Sequence, residues 1–160
     1  MMTPRCIVGI DPGLSGALAF IFQDEPNRVA IEDMPIADGD ICAPLLSSLI
    51  RTYAPSYAVI EFVASMPGQG VASTFKFGKS YGQAIGVLGS HNVPLHYVTP
   101  RKWKQRFNLT AEKDEARAKA LQLFPACAAS FARKKDHNRA DAALIAKYGL
   151  EVLFPWSTAA

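Results

Sequence analysis

The stretch Arg5-Cys6-Ile7-Val8-Gly9-Ile10-Asp11-Pro12-Gly13-Leu14-Ser15-Gly16-Ala17-Leu18-Ala19-Phe20 sets the frame for the rest of the chain. Its first apolar run, Cys6 to Ile10, is short and uncharged, the pattern of a strand buried on both faces. It ends in one carboxylate, Asp11, and then in Pro-Gly turn chemistry. After Gly16 a second apolar run, Ala17 to Phe22, returns as an antiparallel partner. Asp11 is therefore expected at the end of a central strand, at the rim of an apolar sheet. A carboxylate there either caps its own turn or meets a cation, a set of hydrogen-bond donors or a metal, because an unpartnered buried charge is costly.

Outward from this stretch, the order of elements predicts one α/β layer. A third strand is expected over Arg28 to Asp33, followed by a Pro, Gly and Asp-rich loop from Met34 to Asp40. Ala43 to Tyr53 carries Leu45, Leu46, Leu49 and Ile50 on one helical face and stops at Pro55. Tyr57 to Phe62 reads as a fourth strand, and it carries a second carboxylate, Glu61. A loop from Ser65 to Gly70 leads into a helix over Val71 to Ser90. Its four glycines, at 78, 82, 86 and 89, predict close packing on the sheet. Val93 to Val98 is the fifth strand, and Thr99-Pro100 is an N-cap with proline at the first helical position. Arg101 to Phe107 and Thr110 to Phe124 are helical, Cys127 to Lys135 is a loop or short turn, and an alanine-rich helix spans about His137 to Leu150. No repeat or linker divides residues 1–160, so one domain with a mixed five-stranded sheet is expected.

Composition restricts the function. The 160 residues are 49% hydrophobic and 19% charged, ordinary for a globular domain, and no apolar run is long enough to span a membrane. The three cysteines, Cys6, Cys42 and Cys127, are isolated in apolar contexts; they read as reduced core residues of a cytoplasmic protein and not as a zinc site. The net charge of +3 conceals an asymmetry. Residues 1–60 hold three basic against seven acidic residues, whereas residues 99–139 hold eleven basic against four acidic. Such a local excess is the footprint of a polyanion partner.

The chemistry gathers at Asp11, Glu61 and Asp141, each where an apolar element begins or ends. Asp141 lies in Asp136-His137-Asn138-Arg139-Ala140-Asp141-Ala142-Ala143, whose small residues would let the helix approach the sheet. His137, four residues before Asp141, shares its helical face; Asn138 is the alternative neighbour, and Asp136 is better placed as the N-cap. Three carboxylates at close range cannot all stay ionised without cations. Hard oxygen ligands suit Mg²⁺ or Mn²⁺, and two ions suit in-line phosphoryl chemistry. Taken singly, each residue also has an ordinary structural role: Glu61 on a strand edge, His137 on the surface, Asp141 in a helix ion pair.

These residues resemble the RuvC-type Holliday junction resolvases of the RNase H-like superfamily. The resemblance runs through Gly9-Ile10-Asp11-Pro12-Gly13, Val59-Ile60-Glu61, Gly82-Gln83-Ala84, Val98-Thr99-Pro100, Lys104-Gln105, Ala111-Glu112-Lys113 and Ala140-Asp141-Ala142 in order. It implies an RNase H-like fold and a homodimeric, Mg²⁺-dependent endonuclease, with two ions per site, that nicks two opposed strands of four-way DNA junctions. Asp11, Glu61 and Asp141 match the metal-binding carboxylates, His137 the fourth ligand, and Lys104 and Lys113 the basic residues near the scissile phosphates. With them, Phe62, Lys76, Lys79, Arg101, Lys102, Arg133, Lys134 and Lys135 form the expected DNA-contacting set. Two departures stand out. The family's stacking aromatic three positions after the glutamate is Ala64 here, which leaves Phe62 or Met66 to act as a wedge. The fourth ligand is histidine in place of aspartate, with Asp136 as a substitute. The divergent Pro100-Arg101-Lys102-Trp103-Lys104 segment looks closer to phage-borne or prophage members.

Other classes compete. An RNase H-like ribonuclease or a broader branched-DNA nuclease would use the same carboxylates. A non-catalytic junction binder gains nothing from clustered anions beside DNA phosphates. Actin-like or sugar-kinase ATPases also open on a strand and an Asp-x-Gly turn, but they need a second such domain.

Overall fold

In the computed structural model, which describes residues 5–155, the opening stretch forms strands β1 (Cys6–Asp11) and β2 (Ala17–Phe22), paired antiparallel from Cys6 opposite Phe22 to Asp11 opposite Ala17. Then follow β3 (Ala30–Asp33), a small ribbon of β4 (Ile36–Ala37) and β5 (Asp40–Ile41), α1 (Ala43–Tyr53), β6 (Tyr57–Glu61) and α2 (Val71–Ser90). The chain continues with β7 (Leu95–Val98), α3 (Pro100–Arg106), α4 (Lys113–Leu123) and α5 (His137–Tyr148). The sheet order is β3-β2-β1-β6-β7. It is antiparallel on the β2–β3 side and parallel from β1 through β6 to β7. This is the mixed five-stranded sheet that the sequence predicts.

Period-2 alternation sorts the strands between two layers. Cys6, Val8 and Ile10 of β1, with Ala58 and Ile60 of β6, pack among Leu46 and Ile50 of α1 and Ala84, Val87 and Leu88 of α2. Ile7 and Val59 pack on the opposite face with Leu144, Ile145 and Trp103. Asp11 and Glu61 have the parity of this second face. Gly9 lies between Ile7 and Asp11, and a Cβ there would collide with the backbone of Ala142 and Ala146 in α5. Ala140, Ala142, Ala143 and Ala146 are wholly buried, so small side chains let α5 lie directly on β1 and carry Asp141 to the strand ends. Gly9→Ala should therefore cost about 3 kcal/mol or more by overpacking against backbone, a fall in Tm of more than about 6 °C. A thermal melt within about 2 °C of wild type would show that α5 does not sit there.

Two expectations need correction. The segment Met34 to Asp40 is not a plain loop: Asp38 (φ 53°) and Gly39 (φ 78°) form the left-handed turn of the β4–β5 ribbon. That is the Asp-Gly hairpin signal. Residues Pro125–Phe131 and Lys134–Asp136 wind into 3₁₀ turns, which seat Phe131 in the core. The α2 glycines do not face the sheet, since a Cβ at Gly78, Gly82, Gly86 or Gly89 would point into open space. The buried flank is instead Ser80, Ala84, Val87 and Leu88. Spacing identifies a helical face, but only burial energy decides which face goes inward. Gly82→Ala should accordingly stabilise the fold by up to about 1 kcal/mol.

All three cysteines are free thiols, and burial pushes the Cys6 thiol up to about 12. Among the described residues no helix is long and apolar enough to cross a membrane.

Candidate active site

Asp11 and Glu61 are the last residues of neighbouring parallel strands; Ile10 lies beside Ile60, so the two carboxylates emerge abreast. Behind Asp11 the turn is close: a Cβ at Gly16 would strike the Asp11 carbonyl, so glycine alone fits there. Asp141, on the first turns of α5, completes the group. The proximity registers in the protonation of Asp11 and Asp141. Burial, then the charges of Asp141 and Glu61, hold the Asp11 carboxyl well above its ordinary range, with Lys104 opposing. Burial and then Glu61 push Asp141 up to about 7, against Lys104 and Lys113. Burial raises Glu61 as well, while a hydrogen bond from Trp103 and the charge of Lys104 pull it down.

Two elements supply the positive charge. Strand β7 ends at Val98, beside Glu61 in register. Thr99 then caps α3 by accepting the Lys102 amide, with Pro100 in the first turn. This brings Trp103 and Lys104 against the carboxylates. The Trp103 indole is wholly buried, and its Nε1–H donates to Glu61 Oε2 at 2.7 Å. Lys104 Nζ lies 5.4 Å from the centre of the Trp103 ring. A surface cavity beside α3 includes Arg101 and Lys104. A second cavity is lined by Lys113, Lys134, Lys135 and His137.

The structure separates His137 from Asp136. Helix α5 begins at His137, so His137 lies about 40° around the axis from Asp141 and Asp136 lies about 140° away. Asp136 occupies the N-cap position but makes no side-chain bond to α5. Its buried carboxylate accepts the Arg133 amide at 2.9 Å and the Arg133 guanidinium at 2.8 Å, and it lies 3.7 Å from Arg139. These contacts, led by the Arg133 hydrogen bond, lower its pKa. Arg133 thus gives its guanidinium to Asp136, with 53% of its side chain still exposed. Arg106, Arg117 and Arg139 are likewise paired, with Glu151, Asp114 and Asp33. Lys79 bonds Asp40 at 2.8 Å on the surface, an exposed pair worth little and open to exchange. Lys76, Arg101, Lys102, Lys113, Lys134 and Lys135 are exposed.

Phe62 is 48% exposed and meets Tyr97 edge-on at 6.3 Å. Phe62, Ala64, Met66 and Phe77 line an apolar cleft directly after Glu61, and Met66 is exposed. Trp103 is a site residue that the sequence does not single out. The available signal was that a buried indole must find an acceptor for its N–H, and Glu61 was near in the fold though not in the chain.

The donor set suits a hard divalent cation: three carboxylates, each held above its ordinary range by burial and two of them further by their neighbours' charge. Among the described residues, however, no three acidic, histidine or cysteine side chains stand drawn in around a single ion position. Asp11 and Asp141 nonetheless lie within electrostatic reach of Glu61.

No protein-family model matches the chain. Against solved structures, T. thermophilus RuvC in complex with a Holliday junction substrate superposes with a TM-score of 0.72 at 16% identity, over 94% of this chain and 95% of that one. The chain has the RuvC fold, an RNase H-like fold. The yeast mitochondrial Holliday junction resolvase Ydc2 shares it with a TM-score of 0.56 at 19% identity, over 92% of this chain and 78% of that one. In sequence, the chloroplastic Holliday junction resolvase MOC1 of Chlamydomonas reinhardtii is 32% identical over 101 residues. That match covers 62% of this chain but only 12% of the chloroplast protein. On the RuvC fold, Asp11, Glu61 and Asp141 occupy one end of the sheet under α5.

Proposed function

We propose that the protein is a divalent-metal-dependent endonuclease that resolves four-way DNA junctions, acting as a homodimer that nicks two opposed strands. The observation that carries this reading is the meeting of Asp11, Glu61 and Asp141 at one sheet end, flanked by basic cavities, on a RuvC fold. The resolvase names of its similar proteins support the substrate.

Asp11, Glu61 and Asp141 would hold the metal, Mg²⁺ or Mn²⁺, with His137 as a fourth group. The bound metal supplies Lewis-acid activation of a phosphodiester and of its attacking water. Lys104 and Lys113 offset the carboxylate charge, so that a phosphate can approach a site that would otherwise repel it. A neutral His137 imidazole orients water or accepts its proton, which the protonated ring cannot do. Lys76, Lys79, Arg101, Lys102, Lys134 and Lys135 contact backbone phosphates on either side. Phe62 or Met66, on the cleft after Glu61, stacks against bases at the branch point in the absence of an aromatic residue at Ala64.

The test is a panel of four-way junction, flap, linear duplex and RNA–DNA hybrid substrates with Mg²⁺. Junction cleavage is expected to exceed the others, and preferential cutting of the hybrid's RNA strand would transfer the site to the ribonuclease reading. Junction affinity should fall steeply with salt, and each lysine contact removed should lower the log–log slope by about 0.9.

The α5 start gives a sharper prediction. His137→Ala should slow cleavage by about 10²-fold or more, the usual size of a general acid–base contribution, with an unchanged melt. Asp136→Ala should leave the carboxylate cluster intact but deprive the Arg133 guanidinium and backbone N–H of their partner, costing about 1–3 kcal/mol of stability. An inactive, fully stable Asp136→Ala together with an active His137→Ala would exchange the two assignments.

A further inference from the structure

We infer that Trp103 is the positioning residue of the Glu61 carboxylate, and that its indole N–H selects which Glu61 oxygen is left to meet the metal. This rests on the nuclease reading above. The geometry follows from the chain path. Glu61 and Val98 are register partners at the ends of β6 and β7, and the Phe62 amide donates to the Val98 carbonyl at 2.7 Å. The cap at Thr99 fixes where α3 starts, so its first turn places residue 103 beside residue 61 without a free linker. Trp103 is 0% exposed and packs with Val59, Val98, Leu144 and Ile145. In this packed position its Nε1 sits 2.7 Å from Glu61 Oε2.

The chemistry of this donor matters as much as its place. An indole N–H donates one hydrogen bond and cannot accept or ligate. It is neutral, so it holds the carboxylate without cancelling the charge that a cation needs. A lysine or arginine at the same point would form an ion pair and compete with the metal. The cation of the cluster is instead the next residue, Lys104, which lies over the same ring. Residues 103 and 104 thus divide the work: one fixes geometry, the other offsets charge. Outer-shell donors of this kind typically contribute 10–100-fold in metal affinity or activity.

The chain has two tryptophans, and the other, Trp156, lies outside the described residues. In a Trp156→Phe background a single indole ¹H–¹⁵N resonance remains. It should move on titration with Mg²⁺, and Glu61→Gln should reduce that movement. Trp103→Phe, which keeps a ring and removes the N–H, should raise the Mg²⁺ concentration for half-maximal junction nicking about 10-fold. It should lower kcat about 10–100-fold, leave KM for the junction unchanged, and recover part of its rate at high Mg²⁺. An indole resonance that ignores saturating Mg²⁺ would overturn the inference, and that measurement stands even if Trp103→Phe does not fold. A folded Trp103→Phe with wild-type Mg²⁺ dependence and kcat would overturn it as well. Both outcomes leave the nuclease reading intact, whereas a wild-type protein that neither binds Mg²⁺ nor nicks junctions removes that reading first.

Discussion

Asp11→Asn, Glu61→Gln and Asp141→Asn should each reduce junction cleavage by about 10³-fold or more while leaving junction affinity equal or higher. Three decades of rate correspond to about 4 kcal/mol of transition-state stabilisation, a plausible loss when one of three oxygen ligands becomes a neutral amide. Binding should survive because the substitution removes a negative charge from beside the DNA phosphates, and the lysine contacts on either side are untouched. Gel-shift affinity and single-turnover cleavage of the same labelled junction separate the two effects. A variant that nicks at near-normal rate with Mg²⁺ would remove that residue from the site, whatever its place beside the others.

The same substitutions should stabilise the metal-free fold. Burial places the folded-state pKa of Asp11, Glu61 and Asp141 above their unfolded values, and neighbouring carboxylates add to the rise for Asp11 and for Asp141, which lies at about 7. For a raised carboxyl the folded state binds more protons in the window between the two values, so stability falls as pH rises through it. For Asp141 the penalty is therefore absent below about pH 4 and develops as pH rises through about 7. Asp136 has the opposite sign: its depressed pKa contributes stability above the ordinary carboxylate range, which is lost as pH falls through the folded value. Metal-free protein should thus melt highest in mildly acidic buffer. Asp141→Asn should raise Tm at pH 7.5, by about 2–4 °C for each kcal/mol of repulsion removed, and flatten the decline toward alkaline pH. Mg²⁺ should raise the wild-type Tm at pH 7.5 by binding the folded state alone, and should do so weakly or not at all for Asp11→Asn and Asp141→Asn. A melt independent of both pH and Mg²⁺ between pH 5 and 8 would mean that the three carboxylates do not share a field.

The strands and the alanine-rich helix were legible because each rests on a local pattern. Cys6 to Ile10 and Tyr57 to Glu61 are apolar runs bounded by turn residues, and each leads into a carboxylate; the strand register then puts Asp11 and Glu61 on a common face. The small residues around Asp141 announced a helix that could approach the sheet, and Gly9 supplies the matching gap. What stayed hidden depends on contacts distant in sequence. Nothing near Arg133 in the chain says that its guanidinium will close on Asp136 and not on a phosphate, since both partners present the same charge. The α2 glycines share a spacing with close-packed helices, yet Ala84, Val87 and Leu88 gain more from burial and turn the glycines outward. Trp103 could have been core or surface until the register of β6 and β7 set Glu61 beside it. Asp38-Gly39 is a different case, because its hairpin signal was present in the sequence and only the shortness of the ribbon concealed it.

The central claim is that this carboxylate cluster resolves junctions, and strand-resolved mapping of the nicks on a synthetic four-way junction tests it most directly. Each of the four strands is end-labelled in turn and incubated with the protein and Mg²⁺. The account predicts paired nicks at symmetry-related positions in two opposed strands, releasing two linear duplexes, with no product when Mg²⁺ is chelated or Asp11→Asn is used. Unpaired cuts scattered over all four strands, or cleavage that persists with Asp11→Asn, would contradict it.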